Sequence, residues 1–135
     1  MNQIYNKLPA EVDSTGFGQN TKFAACALRL AGHDLMDFRV HKDGSMTGGS
    51  DGCLNMEDPD NKGLPKCIQE FGLAKAYEDT CDRVSLADFI VIAAEAVTGR
   101  TATSYNKEDY FAEGTLARAH RDNFKHGRKT NVNCD

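Results

Sequence analysis

The sequence lacks tryptophan, has only three prolines and contains no apolar run longer than residues 89–94. A membrane-spanning helix needs about 20 apolar residues in succession, so no membrane span is predicted. Basic residues are too few for a general attraction to nucleic acid or to an anionic membrane, since 16 Lys and Arg face 20 Asp and Glu. With 135 residues and 40% hydrophobic content, the chain is predicted to form one globular domain over residues 1–135.

The cysteines lack metal-binding spacing. The five cysteines form no Cys-x-x-Cys pair and no Cys/His cluster, which argues against a structural zinc site. An odd number leaves at least one of them unpaired within the chain. The first residues lack the basic and apolar regions of a secretion signal. The cysteines fit either disulfides in a secreted protein or thiols in a cytosolic one.

Hydrophobic periodicity predicts an all-α protein. Apolar residues recur at helical spacing over residues 19–35, 65–77 and 85–99, and a shorter helix is predicted over 113–123. Residues 37–60 are rich in Gly, Asp and Ser and are predicted to form a long loop without regular structure.

The ends of the third predicted helix carry the clearest signals. Ser85 followed three residues later by Asp88 resembles a capping box at its start, and Gly99 is predicted to end it.

The sharpest pair of candidate functional residues is Arg29 and His33. At a spacing of four on a helix, their side chains share one face. Histidine can accept and return a proton near neutral pH, and guanidinium stabilises negative charge that develops on oxygen. Such a pair suits cleavage of a peroxide bond. On its own, such a pair more often has a structural role, either as a surface ion-pair patch or as a buried histidine bonded to a carbonyl.

Further motifs follow this pair in a fixed order. They are Leu28-Arg29-Leu30 with His33-Asp34, Gly-Gly-Ser-Asp-Gly-Cys at 48–53, Asn61-Lys62-Gly63-Leu64, and Val-Ser-Leu-Ala-Asp at 84–88. In this order they resemble the plant, fungal and bacterial haem peroxidase superfamily, and in particular its secreted branches. The resemblance covers residues 15–128 and corresponds to the distal helical half of that fold.

The resemblance implies roles for individual residues. His33 would be the distal acid and base, Arg29 would stabilise the cleaving bond, and Asn61 would accept the Nδ1 proton of His33, with Glu57 supporting Asn61. Arg29, Gly32 and His33 would face haem b. Gly32 stands where the family places an aromatic ring, which implies a wider pocket. A glycine inside a helix suggests either a close approach of another group or a relaxed functional constraint.

The resemblance also implies a calcium site. Asp34 and Asp51, with the carbonyl of Gly49, match the family's distal calcium ligands, and oxygen ligands suit Ca²⁺. Cys53 replaces a serine ligand, and sulfur is a poor ligand for this cation. Cys81 matches a disulfide cysteine of secreted members, which favours an extracellular location.

The proximal motif of the family, which supplies the axial histidine to haem iron, does not occur in the sequence. The other histidines, His41, His120 and His126, lie in polar segments and are predicted to be surface residues. No axial ligand is therefore assigned within this chain.

Two functions remain open at this stage. One is a haem peroxidase that reduces H₂O₂ and oxidises an unknown donor once a proximal histidine is supplied. The other is a non-catalytic, peroxidase-homologous structural or binding protein in a larger assembly. Because half of the haem pocket would be missing, an exposed apolar face and a second polypeptide or self-association are expected.

Overall fold

The computed structural model describes residues 19–106, 109, 111–132 and 134, and these residues are mostly helical. The five α-helices of this part are α1 (Gln19–Met36), α2 (Leu64–Glu70), α3 (Leu73–Glu78), α4 (Leu86–Asn106) and α5 (Leu116–Asp122). The expected mostly helical class is confirmed. Residues 15–18, the first part of the family-like region, lie outside the described residues.

The core lies between α1, α2 and α4. On α1 the side chains of Phe23, Ala27 and Leu30 recur every three to four residues and are buried, so one stripe of the helix faces the core. On α4 the side chains of Phe89 and Ile92 are almost fully buried against it. The predicted first helix is therefore confirmed, because its apolar stripe has a partner along its whole length.

Two helix predictions were wrong in their boundaries. The predicted second helix is divided into α2 and α3, because Gly72 adopts a left-handed conformation with φ of 84° between them. The third helix does not end at Gly99 but continues to Asn106. Gly99 keeps a helical conformation there, and a glycine inside a helix costs only about 1 kcal/mol relative to alanine, which packing can offset.

The predicted loop after α1 contains short regular elements. Strands β1 (Arg39–Val40) and β2 (Met46–Thr47) form an antiparallel hairpin, in which Arg39 pairs with Thr47. A 3-10 turn at Pro59–Asn61 follows, capped by the Asp58 carboxylate, which accepts a hydrogen bond from the Asp60 N–H at 2.8 Å. The sequence did not predict the hairpin, because strands of two residues contain too few positions to show a periodic pattern.

Two disulfides connect distant parts of the chain. Cys26 of α1 is bonded to Cys67 of α2, and Cys53 of the loop is bonded to Cys134. Cys81 is exposed and is the free cysteine among the described residues. The sequence predicted that at least one cysteine stays unpaired, and the match of Cys81 to a family disulfide is not realised within this chain.

No helix of the described residues has the length and apolar character needed to cross a membrane.

Candidate functional site

The candidate site starts from the exposed side of α1. Arg29 and His33 are one helical turn apart, so both side chains leave the helix beside the segment that precedes α2. Arg29 is exposed and His33 is half-buried. The predicted pair therefore shares one face, next to residues 60–63.

His33 is oriented by Asn61. The His33 Nδ1 atom lies 2.7 Å from the Asn61 Oδ1 atom. The amide nitrogen of Asn61 donates to the carbonyl oxygen of Asn55 at 2.8 Å, which fixes the amide with its oxygen toward the histidine. An amide oxygen only accepts hydrogen bonds, so Nδ1 of His33 carries the proton and Nε2 of the neutral ring is an acceptor.

The support of Asn61 differs from the expectation. Glu57 does not hold the Asn61 amide; the main-chain carbonyl of Asn55 does. Asn55 also accepts the Glu57 N–H through its side-chain oxygen at 3.0 Å, which closes an Asx turn. Sequence reasoning missed Asn55 because the contact uses its main chain, although asparagine at a turn is a recognisable signal.

Arg29 is held by the same segment as His33. Its Nη2 atom donates to the carbonyl oxygens of Lys62 at 2.9 Å and of Asp60 at 3.3 Å. The Nε and Nη1 atoms make no hydrogen bond within the described part of the chain and remain available as donors. Residues 60–62 thus position both predicted catalytic side chains, one through an amide and one through two carbonyls.

Gly63 lets this segment lie close to Arg29. Its φ of 90° is left-handed, and a Cβ at this position would stand 3.4 Å from the Arg29 Nη1 atom. A side chain here would be strained by the backbone conformation and would also crowd the guanidinium.

Gly32 faces open space. A Cβ built on Gly32 meets no atom within 4 Å among its described surroundings, so a close approach of another group does not explain this glycine. It lies within a stripe of α1 whose apolar side chains are exposed: Leu28 at 46%, Leu35 at 59% and Met36 at 71%. The helix therefore presents an uncovered apolar stripe beside Arg29 and His33.

Asp34 points away from this face and is fully buried. Its Oδ1 atom accepts a hydrogen bond from the Gly52 N–H at 2.9 Å, whereas its Oδ2 atom has no partner among the described residues. Burial, together with the charges of Asp51 and Asp37, raises the pKa of Asp34 to about 6. Asp37 bonds the same loop, because its Oδ1 atom accepts the Gly49 N–H at 2.6 Å.

The residues expected to bind calcium do not form a calcium site in their present arrangement. The Asp51 carboxylate already accepts hydrogen bonds from the Cys53 N–H at 3.0 Å and from Asn131 Nδ2 at 3.3 Å. The sulfur of Cys53 is committed to its disulfide. The described residues contain no group of three or more acidic, histidine or cysteine side chains arranged to hold a metal. The free oxygen of Asp34 and the Gly49 carbonyl fall short of the six to eight ligands of Ca²⁺.

The remaining histidines lie on polar surface. His41 bonds Thr47 at 2.9 Å, His120 approaches Glu95 at 2.7 Å, and His126 lies 4.0 Å from Asp88. All three are exposed, as predicted. None of them lies on α1, the helix of Arg29 and His33.

Asp88 has a structural role that the sequence did not reveal. Its N–H donates to Ser85 Oγ at 3.1 Å, which confirms Ser85 as the helix cap. Its carboxylate, however, accepts bonds from the Gly127 N–H at 2.7 Å and from Arg128 at 3.0 Å. Arg128 lies in a polar segment, yet it pairs with this buried acid across 40 residues.

Comparison with models of known protein families, with curated proteins and with solved structures found no match. The assignment of a function therefore depends on the geometry of the site itself and on the resemblance of the sequence motifs.

Proposed function

We propose that this chain forms the peroxide-facing half of a haem peroxidase-like protein that reduces H₂O₂ and oxidises an unknown donor. The observation that carries the proposal is the 2.7 Å contact of His33 Nδ1 with Asn61 Oδ1. The side chain of Arg29 is hydrogen-bonded to the same segment, at the Lys62 carbonyl. This contact leaves Nε2 as the proton acceptor on the open side of α1.

The fit of haem b is tested by the surface around Gly32. The open space over Gly32 and the exposed apolar stripe of Leu28, Leu35 and Met36 suit a flat apolar group, and Arg29 and His33 would face it. Haem b, when bound, would supply the two electrons that reduce H₂O₂ and would recover them from the donor.

The chemistry of the chain itself is a proton transfer. His33 Nε2 accepts a proton from one oxygen of H₂O₂ and returns it to the other oxygen, which leaves as water. The free Nε–H and Nη1–H groups of Arg29 donate to the oxygen on which negative charge develops. Asn61 keeps the ring in the tautomer that accepts at Nε2, because it holds the proton on Nδ1.

The axial ligand is proposed to come from outside the described residues, on a second polypeptide or another copy. The support is the uncovered apolar stripe of α1, since exposed apolar patches of this kind mark interaction sites. The two disulfides favour an oxidising, extracellular compartment.

A second candidate function is a peroxidase-homologous binding module without catalysis. Two observations favour it: Arg29 already bonds two carbonyls, and Gly32 lacks the aromatic ring of the family. In this case the apolar stripe would bind a partner protein instead of a cofactor.

The experiment that separates the two is titration of the protein with hemin in the presence of 1-methylimidazole, which replaces the missing axial ligand. If the chain is an enzyme, hemin bound to it should show a Soret band that changes on addition of H₂O₂. In His33→Gln this change should slow about 100-fold or more, the usual contribution of a positioned acid and base. His41→Gln, an exposed histidine distant from Asn61, is the matched control and should react like the wild type. A Soret band at saturating hemin that is the same with and without the protein would favour the binding module.

A further inference from the structure

The C-terminal segment crosses the loop that lies under α1. We call residues 127–132 with Cys134 the strap, and residues 48–54 the inner loop. The Asn131 N–H donates to the Asp51 carbonyl at 2.9 Å, and its side chain donates to the Asp51 carboxylate at 3.3 Å. The Cys53–Cys134 disulfide adds a covalent link three residues further along the strap.

The strap is itself anchored on α4. Arg128 and the Gly127 N–H bind the buried carboxylate of Asp88, and Thr130 Oγ1 accepts the Ala87 N–H at 3.4 Å. The inner loop also approaches this helix, since a Cβ on Gly52 would lie 3.0 Å from the Ala87 nitrogen. The inner loop is therefore enclosed between the strap and the start of α4.

The inner loop in turn holds the end of α1. The N–H groups of Gly52 and Gly49 donate to the carboxylates of Asp34 and Asp37, at 2.9 Å and 2.6 Å. Asp34 follows His33 directly in sequence. The path from Cys134 through Cys53 and Gly52 to Asp34 thus reaches the residue beside the proposed proton carrier.

A bound cation is the alternative way to hold such a loop, but most of the atoms that could bind it already take part in protein bonds, with Asp34 Oδ2 as an exception. Both oxygens of Asp51 accept protein hydrogen bonds, one oxygen each of Asp34 and Asp37 accepts a loop N–H, and the sulfur of Cys53 is bonded to Cys134. Apart from this oxygen of Asp34, the atoms that the resemblance assigns to metal binding are therefore committed to bonds within the protein.

We propose that the Cys53–Cys134 disulfide, with the Asn131–Asp51 pair, fixes the inner loop under α1 in place of a bound cation. The integrity of this loop then depends on oxidation of two sulfurs and is independent of calcium. The inference concerns the polypeptide alone, so it can be tested without haem, and its failure leaves the proposed function to its own experiment.

The test is hydrogen–deuterium exchange of the whole chain in a Cys81→Ser background, which removes the exposed free thiol and prevents disulfide exchange. Cys53→Ser with Cys134→Ser should speed exchange of the amides of residues 49–54 and 127–132 by about 100-fold, the typical effect of removing such a cross-link. Cys26→Ser with Cys67→Ser is the matched control. In this variant the largest increase in the rate of amide exchange should lie in α1 and α2.

Calcium is tested in the same measurement. The wild-type chain should show the same exchange in the inner loop with about 1 mM CaCl₂ as with EGTA. Slower exchange of residues 49–54 in CaCl₂ would overturn the proposal, because a cation would then hold the loop. Unchanged exchange in the Cys53/Cys134 variant would overturn it as well.

If the Cys53/Cys134 variant does not fold, the folded wild-type chain is reduced instead. Each disulfide has one buried sulfur, but Cys134 is exposed whereas Cys67 is half-buried, so dithiothreitol should reach Cys53–Cys134 before Cys26–Cys67. The reagent is oxidised to its cyclic disulfide while two protein thiols form, and these are identified by alkylation and peptide mass. Exchange of residues 49–54 must rise in step with alkylation of Cys53, and a loop that stays protected after alkylation contradicts the proposal.

Discussion

Helix α1 has two sides that are built in different ways. One side places Phe23, Ala27 and Leu30 in the core, where many weak apolar contacts hold them. The other side presents Arg29 and His33 to residues 55–62, where a few hydrogen bonds to one amide and two carbonyls decide the geometry. Stability and proposed function are thus carried by opposite faces of the same helix.

The largest expected effect is a difference in stability between substitutions of two leucines, one on each face of α1. Leu30→Ala removes a side chain that is 5% exposed, and the free energy of unfolding should fall by about 2–4 kcal/mol. Leu28→Ala, on the open face at 46% exposure, should change it by less than about 0.5 kcal/mol. Chemical denaturation of both variants measures the difference, and equal losses would mean that the stripe around Gly32 is packed as well.

The second effect concerns the buried acid that fastens the strap. Arg128→Met leaves the Asp88 carboxylate with the Gly127 N–H and with His126 at 4.0 Å, and loss of the guanidinium beside this buried charge should lower the free energy of unfolding by about 2 kcal/mol. Lys129→Met, at the exposed next position, is the control and should have little effect. If both variants unfold at the same denaturant concentration, the Arg128–Asp88 pair contributes nothing to stability.

The third effect is a pH dependence at Asp34, between the two faces. Since burial raises its pKa to about 6 in the folded state, the folded chain binds this proton more tightly than the unfolded chain. Stability from this group is present at low pH and is lost as pH rises from about 4 to 6, by about 2–3 kcal/mol.

Asp34→Asn isolates this contribution, because asparagine keeps an acceptor for the Gly52 N–H but does not ionise. Denaturation from pH 4 to pH 7 should show the variant gaining stability relative to the wild type as pH rises. A difference between the two proteins that stays constant over this range would show that Asp34 titrates normally.

The core face was predictable from the sequence and the site only in part. Helical spacing placed Phe23, Ala27 and Leu30 on one stripe because burial of a helix repeats every three to four residues. The Arg29 and His33 pair followed from the same geometry. The partner Asn61, 28 residues further along, was named from the resemblance, since no local pattern links the two.

What the sequence could not provide were contacts of the main chain and contacts between distant segments. The Asn55 carbonyl and the carbonyls of Asp60 and Lys62 belong to every residue type, so residue identity does not reveal them. The Cys53–Cys134 pairing spans 81 residues, and five cysteines allow many pairings. The continuation of α4 through Gly99 was missed because packing outweighed the local preference of glycine.

The central claim is that Asn61 holds the proton of His33 on Nδ1 and leaves Nε2 as the acceptor. Nitrogen-15 NMR of histidine-labelled protein at alkaline pH measures directly which ring nitrogen of His33 carries the proton. The account predicts the Nδ1–H form in the wild type and a shift toward the Nε2–H form in Asn61→Ala, with His41 unchanged. A wild-type His33 that carries its proton on Nε2 would contradict the account, because no proton acceptor would then face the open side of α1.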